Sequence, residues 1–166
     1  MIRQISTIIL IAACSFAGCR NQKAVSSAIE VQQEAQEPQL LKTHLAIAAD
    51  VLNKDSIMLS FTVINESDSI MRFCKWETPF DPEIGKYMDI LDAQGTEPSF
   101  IGAMARRVMP PPAESYIEVP PHDSVKTVFN LADNYAIEAG QYLVRYAGGA
   151  MGDFTAGNEI EISVGN

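Results

Sequence analysis

The sequence predicts an all-β protein, an antiparallel sandwich of about seven or eight strands, and two observations indicate this. From about residue 43 onward, apolar and polar residues alternate with a period of two rather than 3.6. Turn-forming residues separate the alternating segments at the short spacing that is typical of a sandwich or barrel. A chain of 166 residues is close to the size of one domain. We therefore predict a single folded domain over residues 41–166.

The strands are predicted segment by segment from this alternation. It is most regular at 57–64, 124–131 and 159–164. Weaker alternation predicts further strands at 43–50, 70–76, 87–91, 115–119 and 141–147. Within 57–64, four apolar side chains are predicted to face the core together: Ile57, Leu59, Phe61 and Val63. The core between the two sheets is predicted to contain Phe61, Val63, Trp76, Phe129, Tyr142 and Ile162.

Two aromatic residues favour an immunoglobulin-like arrangement of these strands. Trp76 ends the third predicted strand, where a tryptophan commonly fills the core of such sandwiches. Tyr142 stands two residues before the inward position Val144, which resembles the spacing of a tyrosine corner. Because Val144 replaces the cysteine that an antibody domain has there, the likeness concerns the architecture and includes no disulfide.

Residues 1–18 are predicted to be a lipoprotein signal peptide. Arg3 precedes an apolar run at 5–13, and small residues and a cysteine follow, which is the order of a secretory signal. The run is shorter than the roughly 20 residues of a membrane-spanning helix. The end of the segment, FAGC, resembles a bacterial lipobox, so Cys19 is the predicted site of lipidation. Cys14 is the alternative, and an ordinary cleaved signal with incidental cysteines also stays open.

Lipidation would hold the protein on a membrane of the bacterial cell envelope. Two or three acyl chains together anchor a protein almost permanently. We expect the membrane to be the outer membrane, with the leaflet left open. Residues 19–40 are rich in Gln, Glu, Ser and Ala and are predicted to form a flexible tether. Cys74 would then be the one remaining cysteine. It is predicted to pack as a small hydrophobic residue, and a reactive thiol is the alternative.

Charge and motifs exclude several classes of function. The net charge of −9 argues against a nucleic acid partner, which needs a basic face. The sequence has no His-Glu-x-x-His helix, no Cys-x-x-Cys pair, no nucleophile elbow and no phosphate-binding glycine loop. We therefore predict that the protein is not an enzyme, has no catalytic residues and needs no cofactor or metal.

A family resemblance is carried by short segments that follow one another in order over residues 57–147. These segments are Trp76-Glu77-Thr78-Pro79-Phe80, Phe100-Ile101-Gly102, Arg106-Arg107 with Pro110-Pro111, the run from Asn130 to Tyr135, and Gly140-Gln141-Tyr142. Together they resemble the N-terminal, pro-region-type domain of deuterolysin-like metallopeptidases, the aspzincins. The zinc helix of the peptidase and its distal aspartate have no counterpart in the sequence, so the resemblance implies an accessory domain without the enzyme.

The resemblance implies a binding module that contacts a zinc metallopeptidase as an inhibitor or a chaperone-like partner. The loops 77–86 and 102–114 are the predicted contact surface. Thr78, Pro79 and Phe80 are the candidates in the first loop, and Arg106 and Arg107 in the second. An alternative is that these residues have no partner, and that Trp76, Pro79 and the arginines only hold a loop onto the sheet. Another alternative for the arginines is a solvated or ion-paired face.

A different function also stays open at this point. The domain could be a structural or adhesion module of the envelope, perhaps one that binds glycans, with no peptidase partner. A solvent-exposed aromatic platform would favour glycan binding. A buried Trp76 would count against it.

The anchor is tested by substituting each candidate cysteine. Cys19→Ala should move the protein from the membrane to the soluble envelope fraction and abolish acyl labelling, because it removes the acceptor of the lipid. Cell fractionation and labelling with a fatty acid analogue measure both effects. If Cys14→Ala has these effects and Cys19→Ala does not, Cys14 is the anchor.

Overall fold

A computed structural model of the chain describes residues 40–82, 85–148 and 154–166. The described residues form ten β-strands and two short 3-10 helices, Ala113–Ser115 and Leu131–Asp133. No helix in these ranges is long and apolar enough to cross a bilayer. The strands are β1 (Lys42–Ile47), β2 (Met58–Ile64), β3 (Met71–Cys74), β4 (Met88–Asp92), β5 (Ser99–Phe100), β6 (Tyr116–Val119), β7 (Ser124–Asn130), β8 (Tyr135–Ala136), β9 (Gly140–Tyr146) and β10 (Glu159–Val164).

The strands form two three-stranded sheets and two smaller pairs. One sheet has the order β1-β2-β7 and the other the order β10-β9-β4. β3 pairs with β6, and β5 pairs with β8. Every pairing of strands is antiparallel. This arrangement confirms the predicted antiparallel sandwich.

The core lies between the inner faces of the sheets and is built around β2. Its alternate side chains face inward, and Leu59, Phe61 and Val63 are 0% exposed. The ring of Phe61 lies 4.8 Å from the ring of Tyr146 on β9, centroid to centroid, so the two sheets meet directly. These side chains belong to one hydrophobic cluster, the main core cluster, which also contains Phe129 of β7 and Ile162 of β10. The predicted inward faces of these strands are therefore confirmed.

Each of the eight predicted strands has a counterpart, with ends that differ by up to three residues. β5 and β8 were not predicted, because a strand of two residues shows no alternation. Cys74, the only free cysteine among the described residues, is buried as predicted. The predicted signal peptide at 1–18 lies outside the described residues, as does the tether at 19–40 except for Leu40.

Trp76 and Tyr142 differ in part from their predicted places. Trp76 is 8% exposed and so is largely buried. It lies beyond β3, however, which ends at Cys74, and it stands outside the main core cluster. Tyr142 packs against the core only partly. Its hydroxyl donates a hydrogen bond of 3.1 Å to the carbonyl of Glu138, which is the contact expected of a tyrosine corner.

A buried asparagine fixes the turn after β2. Asn65 is 1% exposed. Its Nδ2 donates to the carbonyls of Ser69, Val119 and Pro120 at 2.8–3.0 Å. Its Oδ1 accepts from the backbone N–H and the hydroxyl of Ser67. One side chain thus satisfies polar groups both of the turn that leads into β3 and of the end of β6, the strand that pairs with β3.

Asn65→Ala should lower the free energy of unfolding by about 2–4 kcal/mol, because it leaves buried backbone carbonyls without a donor. Asn53→Ala is the matched control, since the side chain of Asn53 accepts one exposed bond, from Asp55 N–H. The control should cost less than about 1 kcal/mol. Urea denaturation measures both values, and equal losses would contradict the role given to Asn65.

Candidate functional site

The segment Ile101–Met109, named here the 101–109 loop, exposes large apolar side chains to solvent. The exposed fractions are 60% for Ile101, 75% for Met104, 79% for Val108 and 64% for Met109. Single exposed apolar residues are common on protein surfaces, whereas a group of them marks a binding surface more often. Four such residues within nine positions therefore make this loop the first candidate site.

The loop also differs in charge from the rest of the chain. Residues 98–113 contain no aspartate or glutamate, although the whole chain has 21. The stretch carries two cations, Arg106 and Arg107. In a chain of net charge −9, it is an apolar and locally basic region.

Backbone hydrogen bonds hold the first part of the loop. The N–H groups of Ile101 and Gly102 donate to the carbonyl of Asn134 at 2.8 and 3.2 Å. The carbonyl of Ala103 accepts from Gly85 N–H at 2.9 Å. Phe100, just before the loop, pairs with Tyr135 where β5 meets β8. The loop is thereby tied both to the segment after β7 and to the 77–86 loop.

Asn134 is the centre of these contacts. It is 4% exposed, and its Nδ2 donates to the carbonyl of Pro82 and to the hydroxyl of Tyr87. The Tyr87 hydroxyl itself donates to the Pro82 carbonyl at 2.9 Å. A Cβ added at Gly102 would lie 2.6 Å from Asn134 Oδ1 and 2.7 Å from the ring of Phe100, so the packing of these two side chains against the chain favours glycine at this position.

Arg107 holds the second part of the loop. Its Nη2 donates to Asp81 Oδ2 at 2.6 Å, and its guanidinium carbon lies 4.8 Å from the ring centroid of Trp76. The side chains of Arg107 and Asp81 are 24% and 23% exposed, so solvent screens this pair less than a surface pair. The contact with Trp76 adds a cation–π interaction. Arg107 thus covers the ring of Trp76, which lies outside the main core cluster.

Arg106 has a different environment from its neighbour. It is exposed, and no carboxylate of the described residues forms an ion pair with it. The structure therefore separates two arginines that the sequence analysis treated as one cluster. Arg107 holds a loop onto the domain, which was the alternative considered for it, and Arg106 is open to solvent.

The candidates in the 77–86 loop are placed mainly inside the domain. Thr78 and Pro79 are buried. The Thr78 hydroxyl donates to the carbonyl of Lys75 at 2.6 Å and accepts from Phe80 N–H at 3.2 Å. These bonds, with the positive φ of 58° at Glu77, turn the chain back toward the sheet. Thr78 and Pro79 consequently offer little side-chain surface to a partner, which favours the alternative that this turn only holds the loop onto the sheet.

Phe80 is also directed inward rather than to solvent. Its ring lies 5.3 Å from the ring of Phe73 and 6.2 Å from that of Phe61, both in edge-to-face geometry. Phe80, a candidate contact of the first loop, is thus a partly buried side chain that packs against the core. The turn bends inward because these edge-to-face contacts remove the ring from water.

A cleft beside β9 is a weaker candidate. It is lined by Asp89, Arg145, Phe154 and Gly157, among others. Arg145, the one cation among its described lining residues, is already paired, since its Nη2 donates to Asp89 Oδ2 at 2.7 Å. The described residues contain no group of three or more His, Cys, Asp or Glu side chains that could hold a metal ion.

Sequence reasoning missed the residues that the structure makes most prominent. Met104, Val108 and Met109 were inside the predicted contact loop but were not chosen, and Asn134 was named only within the family segment. The absence of acidic residues over 98–113 was the available signal for the apolar loop. Cys14 and Cys19 lie outside the described residues.

Comparison with known proteins places this architecture in a family. The immunoglobulin-like domain family matches residues 44–160. The chain belongs to the immunoglobulin-like domain family. As an immunoglobulin-like domain it fits a binding or structural module, and domains of this family are typically non-catalytic. A comparison with curated proteins gave no match.

The alkaline limit of stability tests the two tyrosines beneath the loop. Burial raises the pKa of Tyr135 to about 12 and also raises the pKa of Tyr87. Below pH about 10 both hydroxyls are protonated in the folded and unfolded states, so ionisation of the tyrosines does not lower the free energy of unfolding. Above that pH the unfolded tyrosines ionise first, and stability should fall by up to about 1.4 kcal/mol per pH unit for each tyrosine.

Tyr135→Phe should flatten this decline between pH 10 and about 12, because it removes one of the groups that ionise on unfolding. Tyr87→Phe should flatten it as well, after a loss of about 0.5–1.5 kcal/mol at pH 7 from its missing hydrogen bonds. Denaturant unfolding at a series of pH values measures the slopes. If the free energy of unfolding of both variants falls with pH as steeply as that of the wild type, burial does not raise the pKa of these two tyrosines.

Proposed function

We propose that this immunoglobulin-like domain is a non-catalytic binding module, held on a membrane of the bacterial envelope by lipid at Cys19. It contacts a secreted zinc peptidase through the 101–109 loop and acts as an inhibitor or a chaperone-like partner. The observation that carries the proposal is the group of four exposed apolar side chains on a loop that is tied to the domain at both ends. The peptidase as partner is supported by the resemblance of residues 57–147 to an aspzincin pro-region.

The form of the loop supports recognition of a folded protein. Loops held by a rigid scaffold carry much of the binding function of sandwich domains. A loop that is already ordered loses less conformational entropy on binding than a mobile one. The hydrogen bonds of Ile101 and Gly102 and the ion pair of Arg107 provide this order before any partner arrives. The exposed apolar surface then becomes available for burial against the partner.

The alternative of a glycan-binding module is less well supported. Sugar rings stack on exposed aromatic side chains, and none of the exposed large hydrophobic residues in the described part of the chain is aromatic. Trp76, the one tryptophan, is 8% exposed and covered by Arg107. The surface of the described residues thus offers apolar aliphatic groups rather than an aromatic platform.

The function is tested with full-length protein in detergent micelles and the mature catalytic domain of a deuterolysin-like zinc peptidase. The protein alone should not hydrolyse casein, with or without added zinc. Mixed with the peptidase, it should bind with a Kd below about 100 μM and either slow casein hydrolysis or raise the yield of refolded peptidase. Val108→Ser should weaken binding about three- to tenfold, because it removes apolar area from the contact.

Val51→Ser is the matched control, since Val51 is 74% exposed and Val108 is 79% exposed. It should leave binding unchanged. Soluble peptidoglycan fragments serve as the probe of the alternative function. Binding to these fragments without binding to the peptidase would favour the adhesion module, and chelator-sensitive proteolysis by the protein alone would overturn the non-catalytic assignment.

A further inference from the structure

We infer that the two adjacent arginines have different roles, and that the role of Arg106 indicates which kind of surface the partner presents. Arg107 is a positioning residue that keeps the 101–109 loop in its binding conformation. Arg106 is the charged contact, so the complementary surface is an apolar depression with a carboxylate at its edge. The role of Arg107 stands on the structure of the domain alone, whereas the role of Arg106 rests on the proposed function.

The contacts of Arg107 suit a positioning role. One edge of its guanidinium bonds to Asp81 at 2.6 Å, and the group lies over the ring of Trp76 at 4.8 Å. Trp76 follows β3, and Asp81 lies in the next turn, so one side chain ties the loop to two positions of a distant segment. A planar guanidinium can make both contacts at once, which an ammonium group cannot do equally well.

Arg107 acts together with the bonds at the other end of the loop. The carbonyl of Asn134 holds the N–H groups of Ile101 and Gly102, and Arg107 holds the chain six residues after Ile101. Met104 lies between these two attachments and is 75% exposed. The attachments therefore hold the chain on both sides of Met104 and oppose its folding back onto the domain. Loss of Arg107 should release the loop even where the domain remains folded.

The environment of Arg106 points to the chemistry of the partner. Residues 98–113 contain no carboxylate, and none of the described acidic residues pairs with Arg106. Met104 and Val108, two residues to either side of it, are both more than 70% exposed. A partner that buries these side chains brings Arg106 to the edge of the contact, where it needs a carboxylate opposite it because like charges there repel. The partner must supply that carboxylate.

A protein fits this description better than a lipid surface does. Segments that recognise anionic bilayers carry clusters of about four to eight basic residues. The 101–109 loop has one cation that is not already paired, in a chain of net charge −9. Electrostatic repulsion by the rest of the domain would oppose approach to an anionic bilayer, whereas a single carboxylate beside an apolar depression needs only a local match.

The task of Arg107 is tested by hydrogen exchange of the full-length protein in detergent micelles. Arg107→Gln should speed exchange of the amides of residues 101–109 by about tenfold or more, because local opening becomes easier. Asp81→Asn should reproduce part of this effect. Arg106→Gln should leave exchange unchanged, as should Arg145→Gln, the matched control, which breaks an ion pair with Asp89 elsewhere. Equal exchange in Arg107→Gln and Arg106→Gln would overturn the division of tasks.

The task of Arg106 is tested by association kinetics with the mature zinc peptidase at several salt concentrations. Arg106→Gln should slow association about three- to tenfold and flatten its dependence on salt, since a charge at the edge of an interface acts mainly through steering. Lys126→Gln, which removes another exposed cation, should change neither. An unchanged rate in Arg106→Gln would overturn the proposed contact.

Two further outcomes separate the proposals. If the wild-type protein does not bind the peptidase, the proposed function and the contact role of Arg106 fail together, while hydrogen exchange still decides the role of Arg107. The second probe is a nanodisc of phosphatidylethanolamine and phosphatidylglycerol that carries the full-length protein. Slower exchange of residues 101–109 in nanodiscs than in micelles would identify the bilayer as the occupant and overturn the protein partner.

Discussion

The need to satisfy backbone polar groups outside the strand ladders is the constraint on which the loops of this domain depend. Buried N–H and C=O groups require partners, and a loop has no neighbouring strand to provide them. Asparagine side chains take this role at several places, because one amide can both donate and accept. Asn65 binds Val119 and Pro120, and Asn158 contacts both backbone polar groups of Leu45. Asn134 connects the turn at Pro82 with the hydroxyl of Tyr87.

Order in the loops has a direct consequence for the surface. The carbonyl of Asn134 accepts hydrogen bonds from the two N–H groups at the start of the 101–109 loop, so the backbone there is held without side-chain packing. Because polar contacts hold the loop, its apolar residues are not needed to fasten it. Met104 and Val108 can therefore remain in solvent, while the core beneath is completed by other residues, such as Phe61 and Tyr146.

The sequence contains enough information to predict the strands, and the reason is their periodicity. β2 and β7 alternate over seven residues each, so the inward positions of both follow from counting. β5 and β8 have two residues each and depend on the bonds of Asn134, which join segments more than thirty residues apart. No local pattern encodes a pairing of this kind. Trp76 was correctly predicted to be buried, but its position over a guanidinium could not be inferred, because Arg107 lies 31 positions away.

The candidate site was less predictable than the fold, for a related reason. The sequence analysis named the 102–114 loop as a contact candidate but did not predict which of its side chains are exposed. Phe80, a candidate contact, packs against Phe73, whereas Met104, which was not chosen, is exposed. Arg106 and Arg107 are identical in chemistry and differ only in what lies beside them. Exposure is decided by tertiary contacts, so neighbours in sequence can differ completely.

The free energies involved favour a binding role for the exposed loop. Burial of a large apolar side chain contributes about 1.5–3 kcal/mol, so four of them left in water forgo several kcal/mol that folding could have gained. A loop free to move would tend to collapse onto the domain and recover part of this energy. The attachments at Ile101 and Arg107 oppose such a collapse and leave the apolar surface outward. The energy not gained in folding remains available on association, which is the condition that a preformed binding surface requires.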